Sequence, residues 1–249
     1  MAHSGGVAHK HRDAAALTLP KQTTAGNTLV ACITTSASPT NPTVSSITLG
    51  GSADHWAQAI TPIGTTGTSD EMTFAWVDPN CAGGQTAVSI ALSASAGSND
   101  ITVFEVPGIV TVSPVDKQAG VNNDSTGLST WSSGATGTTA QASELAVGVF
   151  GGFKSTGVGT INGPAAPWVN FPQQTSASTH CAILVGFQPL TATGAVTYSG
   201  TSSAIDGYCT AVFTLKAAGS SARLPGGLRA RQPLRPAGSR GPGAGAFAR

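Results

Sequence analysis

The stretch MTFAWVDPNCAGGQTAVSIALS, from Met72 to Ser93, decides the fold class of this 249-residue chain. Its two ends alternate residue by residue, with Met72, Phe74 and Trp76 in the first part and Val88, Ile90 and Leu92 in the second. A period of two puts alternate side chains on opposite faces of a β-sheet. The Pro, Asn and Gly residues in between are typical of a connection between strands. The stretch therefore predicts a β-hairpin.

The same alternation recurs along most of the chain and predicts about ten short strands without helices. Beside the hairpin, the predicted strands are Asn27–Thr35, Val44–Leu49, His55–Ile60, Asn99–Pro107, Glu144–Phe150, Trp168–Phe171, His180–Gln188, Ala195–Ser199 and Gly207–Lys216, the last two as a hairpin pair. Many short strands joined by Gly- and Pro-rich turns favour a sandwich or barrel. The polar stretch Lys117–Thr139 is expected to be a long loop that crosses between sheets. Together these features predict an all-β, two-sheet, jelly-roll-like sandwich.

Composition divides the chain into three parts. Residues 1–20 predict a flexible N-terminal arm, residues 21–218 the β-sandwich domain, and residues 219–249 a disordered tail rich in Pro, Gly and Arg. Up to Ala218, six basic side chains stand against eleven acidic ones, whereas the tail has six arginines and no acid. Charged residues are only 9% of the chain, well below the roughly 25% of ordinary soluble domains.

The sequence predicts neither a cofactor nor a metal site. The four cysteines, Cys32, Cys81, Cys181 and Cys209, lack zinc-ligand spacing. They allow two disulfides in three connectivities, or serve as small buried apolar residues. Asn122-Asn123-Asp124-Ser125 offers oxygen ligands without the spacing of a calcium loop. The sequence has no apolar signal segment and no apolar run near the roughly 20 residues of a membrane span. We therefore expect a soluble protein that is made in the cytoplasm, or one that is released by lysis or a non-classical route.

Catalytic motifs are also missing from the sequence, and no catalytic residue is predicted. No G-x-S-x-G motif accompanies the serines, and His55 and His180 are the two histidines inside the predicted domain. Asp70-Glu71 is a neighbouring acid pair at a strand start, and Glu105 and Glu144 lie in strands that the pattern allows to be neighbours. Ordinary strand or loop roles account for all of these side chains, so we expect a protein without enzymatic activity.

Two tryptophans are candidates for binding carbohydrate. Trp131 and Trp168 lie in predicted loops, where exposed indole rings stack on sugars; the alternative is that each covers the core. The arginines of the tail have no aromatic residues between them except Phe247, so specific nucleic-acid binding is not expected.

Several motifs resemble a β-sandwich module that recurs in actinobacterial and actinobacteriophage proteins. The resemblance covers about residues 21–217 and rests on Gly26-Asn27-Thr28-Leu29-Val30, Gly51 to Trp56, Phe74–Leu92, Val103–Gly108, Pro114-Val115-Asp116, Glu144–Gly148 and Phe213–Lys216. These motifs are structural, and the family brings no catalytic residue.

The resemblance implies a minor tail or capsid-decorating protein of a phage virion. Such a protein is made in the host cytoplasm, associates with itself and with other virion proteins, and displays loops toward neighbours or a host-surface glycan. The alternative is a carbohydrate-binding module that uses Trp131 or Trp168. A secreted hydrolase is a third reading, against which the missing motifs argue.

Overall fold

The computed structural model describes residues 8–11, 15–36, 42–53, 55–64, 71–94, 98–154, 157, 159–175 and 181–219, without the side chains of 8–11, 15, 98 and 175. The chain divides into two units, Met1–Ala218 and Gly219–Arg249. Apart from Gly219, every described residue belongs to the first unit, so the predicted disordered tail lies outside the described residues. Within the described part the structure is all-β.

Seventeen strands are found in the described part of the chain. The first eight are β1 (Ala8–His11), β2 (Ala15–Thr18), β3 (Thr28–Ser36), β4 (Val44–Leu49), β5 (Ala57–Gln58), β6 (Glu71–Asp78), β7 (Ala87–Leu92) and β8 (Ser98–Val106). The remaining nine are β9 (Val115–Asn123), β10 (Leu128–Ala135), β11 (Glu144–Phe153), β12 (Ile161–Asn162), β13 (Val169–Asn170), β14 (Gln174–Thr175), β15 (Cys181–Pro189), β16 (Thr197–Ile205) and β17 (Gly207–Lys216).

These strands form four antiparallel sheets. We name them outer sheet 1 (β2-β7-β4), central sheet 1 (β1-β8-β3-β6-β5), central sheet 2 (β9-β17-β11-β15-β13, with β14 also on β15) and outer sheet 2 (β10-β16-β12). The prediction of an all-β, sandwich-like fold is confirmed. Its finer detail differs, because the described residues form four sheets where two were expected.

Three hydrophobic cores show how the sheets are stacked. Outer core 1 joins outer sheet 1 to central sheet 1 through residues such as Leu17, Val88 and Phe74. The central core joins the two central sheets, and outer core 2 joins central sheet 2 to outer sheet 2. Both faces of each central sheet are therefore covered, which explains why every residue of β3 is buried. Strands buried on both faces read as nearly continuous apolar runs.

The two halves of the stack have the same topology. Strands β1 to β8, here called repeat 1, occur in the order β1-β8-β3-β6-β5 and β2-β7-β4. Strands β9 to β17, repeat 2, occur in the matching order β9-β17-β11-β15-β13 and β10-β16-β12. Val30 pairs with Val77 and Phe104 in repeat 1, as Val147 pairs with Phe187 and Phe213 in repeat 2. Strands β1 to β17 thus form two repeats of one topology, which pack on each other through their central sheets.

The predicted Met72–Ser93 hairpin is wrong in its pairing, although both strands exist. Strand β6 pairs with β3 and β5 in central sheet 1, whereas β7 pairs with β2 and β4 in outer sheet 1. The two strands instead face each other across outer core 1, where Phe74 and Val88 both lie. The same holds for the predicted hairpin of β16 and β17, which lie in different sheets. Local alternation predicts a strand but not its neighbour.

Two segments that the sequence predicts to lack regular structure contain strands. The polar stretch Lys117–Thr139 forms most of β9 and all of β10. Its side chains are largely half-exposed, because β9 lies at the edge of central sheet 2. Within the predicted N-terminal arm, β1 pairs with β8 and β2 pairs with β7. Leu17 and Leu19 are 2% and 5% exposed, so the sandwich begins well before residue 21.

Candidate functional site

The first predicted glycan contact, Trp131, is buried in outer core 2. It lies on β10 and is only 2% exposed. Its ring centroid is 4.7 Å from that of Phe150 and 5.1 Å from that of Tyr198, and its Nε1 donates a hydrogen bond to the Thr201 carbonyl oxygen (3.2 Å). The expectation that Trp131 lies exposed in a loop is therefore wrong, because this residue is buried on β10. Its indole stabilises the core.

The second predicted glycan contact, Trp168, lies at the margin of the same core. It is partly buried, and its ring centroid is 4.8 Å from that of Tyr198. The next residue, Val169, is 50% exposed. The Tyr198 hydroxyl donates to Asn170 Oδ1 (3.0 Å), and Asn170 Nδ2 donates to the Pro164 carbonyl oxygen (2.9 Å). Trp168 is thus held at the surface on a fixed support, as a stacking platform requires.

Glycines make room for this aromatic cluster. An alanine Cβ at Gly148 on β11 would overlap the Tyr198 ring. An alanine Cβ at Gly186 on β15 would lie 3.0 Å from Tyr198 Cε2 and 2.5 Å from Asn170 Oδ1. The Tyr198 ring therefore packs directly on the backbone of central sheet 2 at these two glycines. Sequence periodicity does not show this fit, because the glycines and the ring come from distant segments.

Repeat 1 has a tryptophan in the position equivalent to Trp168. Trp56 precedes Ala57, which pairs with Val77, as Trp168 precedes Val169, which pairs with Phe187. Trp56 is partly buried and packs against outer core 1. Sequence reasoning did not single out Trp56 as a site residue. Trp56 and Trp168 are recognised as equivalent only from the strand pairing of the residues that follow them.

Glu105 in repeat 1 holds the turn that precedes β3. Its Oε1 accepts hydrogen bonds from the Thr24 N–H (2.9 Å) and from Asn27 Nδ2 (2.6 Å). The side chain is buried, at 6% exposed. Buried carboxylates need such donors to offset their desolvation. The sequence allowed Glu105 and Glu144 to lie in neighbouring strands, but β8 and β11 belong to different sheets.

Repeat 2 uses two carboxylates for the equivalent turn before β11. Asp116 Oδ2 accepts from the Ala140 N–H (2.6 Å), and Glu144 Oε1 accepts from the Gln141 N–H (3.4 Å). Burial raises the pKa of Glu144, and the nearby Asp116 charge raises it further against the bond from Thr214. Burial also acts on Asp116, but the Ala140 N–H and the Lys117 ammonium hold its pKa below the usual value. Each carboxyl group thus shifts the pKa of the other: Glu144 lowers that of Asp116, and Asp116 raises that of Glu144.

A third buried group lies between the two central sheets and consists of polar side chains packed against a glycine. We call it the interface cluster; its members are Thr34, Glu71, Asp100, Gly151, Cys181 and Cys209. The Cys209 thiol donates to the Glu71 carbonyl oxygen (2.8 Å) and lies 3.0 Å from Asn122 Oδ1. Thr73 Oγ1 donates to the Cys209 carbonyl oxygen (2.9 Å). The bonds that join Cys209 to Glu71 and to Thr73 cross from repeat 1 to repeat 2, whereas Asn122 belongs to repeat 2 itself.

Glu71 is the central side chain of the interface cluster. It is 2% exposed, and neither carboxylate oxygen has a hydrogen bond of good geometry with a described residue. Burial raises its pKa well above 4.5, and the charge of Asp100 raises it further. The Cys181 thiol and the Ala182 N–H lie close enough to lower this pKa, but by less. A carboxyl group in such surroundings favours its protonated form.

The other chemistry-bearing residues form no group of metal ligands in the described part of the chain. Within those residues, no three His, Cys, Asp or Glu side chains are placed to hold a metal ion. All four cysteines are buried and none forms a disulfide, so the disulfide alternative is wrong. The His55 side chain is 64% exposed, with Nδ1 3.9 Å from Asp78 Oδ1. His180 and Asp70 lie outside the described residues.

The Asn122–Ser125 segment, weighed as a calcium loop, makes bonds within itself. Asn122 Nδ2 donates to Asp124 Oδ2 (3.1 Å), and the Ser125 N–H donates to Asn123 Oδ1 (3.0 Å). Such bonds are typical of the turn between β9 and β10. None of the described residues belongs to a helix long and apolar enough to cross a membrane.

Comparison with known proteins returned no relative. No protein-family model, curated protein or solved structure matches this chain.

Proposed function

We propose that this protein is a non-enzymatic structural component of an actinobacteriophage virion, as a minor tail or capsid-decorating protein. It forms a stiff β-sandwich body that packs against copies of itself and other virion proteins and displays loops at the particle surface. The sequence resemblance suggests a virion protein, and the burial of acidic side chains inside the fold supports a structural role.

The observation that carries the proposal is where the carboxylates lie. Five acidic side chains of the described part are buried: Glu71, Asp78, Asp100, Glu105 and Glu144. Glu105 and Glu144 accept hydrogen bonds from turns, and Glu71 lies between the central sheets. Acid–base catalysis needs a carboxyl group within reach of a substrate. Glu105 and Glu144 hold turns of the fold instead.

The motifs behind the resemblance have structural roles of the same kind. Gly26 and Gly108 adopt φ values of 83° and 73°, which favour glycine, at the turns that flank the pair β3–β8. Glu105 holds one turn, and Asp116 with Glu144 holds its equivalent. A family related through such residues shares a scaffold rather than a reaction.

Self-association is expected at the edge of central sheet 2. Strand β13, on one edge, has only two residues, whereas β9, on the other, has nine. A long edge strand offers backbone groups to a further strand, and β9 has charges only at Asp116 and Lys117. Light scattering on the full chain after size exclusion tests this. A defined oligomer supports assembly, and a monomer at every concentration contradicts it.

A carbohydrate-binding module is the second candidate function, favoured by the exposed Val169 beside the supported Trp168 ring. A glycan array probed with the full chain tests it, with Trp168→Ala as the variant. Trp56→Ala, in the equivalent position of repeat 1, is the matched control. Binding lost only in Trp168→Ala supports this function; no binding by the intact chain, or equal binding by both variants, excludes it.

A further inference from the structure

The turns that precede β3 and β11 occupy equivalent places in the two repeats, so they can be compared residue by residue. Val30 and Val147 are equivalent in β3 and β11, and Phe104 and Phe213 are equivalent in β8 and β17. Counting from these residues matches three positions of the two turns: Thr24 with Gln141, Asn27 with Glu144, and Glu105 with Thr214.

In repeat 1 the buried carboxylate of this turn has matching donors. Glu105 Oε1 accepts hydrogen bonds from the Thr24 N–H and from Asn27 Nδ2. The turn thus sets one acid against one amide. Hydrogen bonds from such donors offset the cost of burying the charge.

Repeat 2 has a second acid where repeat 1 has the amide. Glu144 stands at the position of Asn27, so a group that accepts hydrogen bonds replaces one that donates them. The acid that Glu144 meets is Asp116 of β9. The Ala140 N–H binds Asp116 Oδ2. The Gln141 N–H binds Glu144 Oε1. These two donors leave one further oxygen on each acid.

The remaining oxygens of the two acids lie close together. Glu144 is fully buried, and its Oε2 has no hydrogen bond of good geometry within the described part of the chain. The Glu144 carboxyl group lies near enough to the Asp116 carboxyl group and the Thr214 hydroxyl to interact with both. Strands β9, β11 and β17 therefore bring oxygen atoms of two acids and one hydroxyl to the same place. A buried acceptor without a matching donor calls for a ligand.

We propose that Asp116 and Glu144 bind a hard divalent cation such as calcium, with the Thr214 hydroxyl beside it. Carboxylate and hydroxyl oxygens suit calcium and magnesium, and water fills the coordination positions that the protein leaves open. The ion supplies the positive partner that the Asn27 amide supplies in repeat 1. Because two carboxylates contribute, the site is a weak one, with a Kd of about 0.1–1 mM.

Lys117 is the described cation next to the acid pair. Its Nζ lies 3.4 Å from Asp116 Oδ1, and its side chain is 36% exposed. An ion pair with a long, exposed side chain contributes little to stability. The ammonium therefore competes with a divalent ion for Asp116 without blocking it. Lys216 lies opposite Glu144 in the β11–β17 register, and the two form no ion pair in the described structure.

A cation at this place braces the point where repeat 1 continues into repeat 2. Here the Lys216 N–H donates to the Pro114 carbonyl oxygen (2.8 Å), two residues before Asp116. Gln141 Nε2 donates to the Ala217 carbonyl oxygen (3.1 Å). The ion thus joins the start of β9 to the start of β11, next to the end of β17.

Isothermal titration calorimetry of the full chain with calcium, and separately with magnesium, tests the proposal. The protein is first freed of metal with a chelator and is then kept at neutral pH and constant ionic strength. We expect saturable binding of calcium with a Kd of about 0.1–1 mM. The thermal unfolding midpoint should rise over the same range of concentration. Absence of saturable binding of either ion would overturn the proposal.

Three variants locate the ion. Asp116→Asn and Glu144→Gln each remove one ligand charge and should weaken calcium binding by at least about tenfold. Lys117→Met keeps a side chain of similar shape and removes the competing ammonium, so it should bind calcium more tightly. If the acid pair had only a structural role, calcium affinity would be the same in all three variants, and this result would contradict the site.

Asp124→Asn is the matched control, because Asp124 is an exposed acid in the turn between β9 and β10. It should leave calcium binding unchanged. Binding that is lost in this variant but kept in Asp116→Asn would assign the ion to that turn and overturn the proposal. If Glu144→Gln does not fold, the opposite effects expected for Asp116→Asn and Lys117→Met keep the test decisive.

Discussion

Thr34 and Gly151 occupy equivalent positions in the two repeats and touch across the central core. A Cβ added at 151 would lie 2.7 Å from Thr34 Cγ2 and 2.9 Å from Glu71 Oε2. Because neither neighbour can turn toward solvent, the contact has no room for a second side chain. The duplication is therefore asymmetric where its halves meet.

Gly151→Ala should destabilise the chain by about 1–3 kcal/mol, because overpacking in a tight core shifts backbone or side chains. Urea denaturation at neutral pH measures the change. Gly194→Ala is the matched control, since its added Cβ would meet no atom within 4 Å. Equal stability of the two variants would show that the central sheets can accommodate an added methyl group at this point.

Trp131→Ala should cost about 3–5 kcal/mol, the usual range for removing a large buried aromatic side chain. Trp168→Ala should cost less, because this ring is only partly buried. Thermal unfolding of both variants gives the order. If Trp168→Ala were the more damaging change, Trp168 would be part of the core rather than a surface platform.

The Asp116–Glu144 pair predicts opposite pH effects for two neutral variants. The raised pKa of Glu144 means that its contribution is present at low pH and is lost as the pH rises through the folded value. Glu144→Gln should therefore be relatively more stable at neutral than at acidic pH, compared with the natural chain.

Asp116→Asn should behave in the opposite way. The lowered pKa of Asp116 means that its contribution is present at neutral pH and is lost as the pH falls through the folded value. The variant should be destabilised at neutral pH, and the difference should shrink in acid. Unfolding curves at several pH values test both variants, and a pH effect of the same sign in both would contradict these opposite pKa shifts.

The ends of the sandwich can be tested by truncation. Residues 216–218 are tied by bonds such as Lys216 N–H to the Pro114 carbonyl (2.8 Å) and Ala218 N–H to the Gly108 carbonyl (2.8 Å). A chain that ends at Gly219 should keep these bonds and unfold like the intact protein. A chain that ends at Thr214 should be clearly less stable.

Removal of residues 1–19 should also destabilise the protein, because it deletes β1 and β2 together with the buried Leu17 and Leu19. Circular dichroism during heating measures the loss. An unchanged unfolding temperature would mean that these strands add nothing to the sandwich.

Sequence periodicity was enough to predict the all-β class and strands such as β3, β4, β8, β11 and β17. It missed β9 and β10, because an edge strand needs backbone partners more than apolar side chains. It also gave β6 and β7 the wrong partners, since alternation fixes the faces of a strand but not its neighbour. The burial of Trp131 depends on Gly200 and Phe150, which no local pattern relates to it.

The duplication was equally hidden in the sequence. Equivalent positions lie on the same face of their sheets but hold different residue types. Glu71 with Cys181 and Thr34 with Gly151 are examples. Trp56 and Trp168 are identical, yet one identical pair does not establish a repeat. The common strand order made the relation visible.

The proposed virion role is tested most directly by locating the native protein. Particles released by the cells that make it would be banded in a density gradient, and each fraction probed with an antibody against the full chain. We expect the protein to band with the particles at a fixed ratio to their other proteins and to remain there after a salt wash. Recovery of the protein only in the particle-free fractions would contradict the proposal.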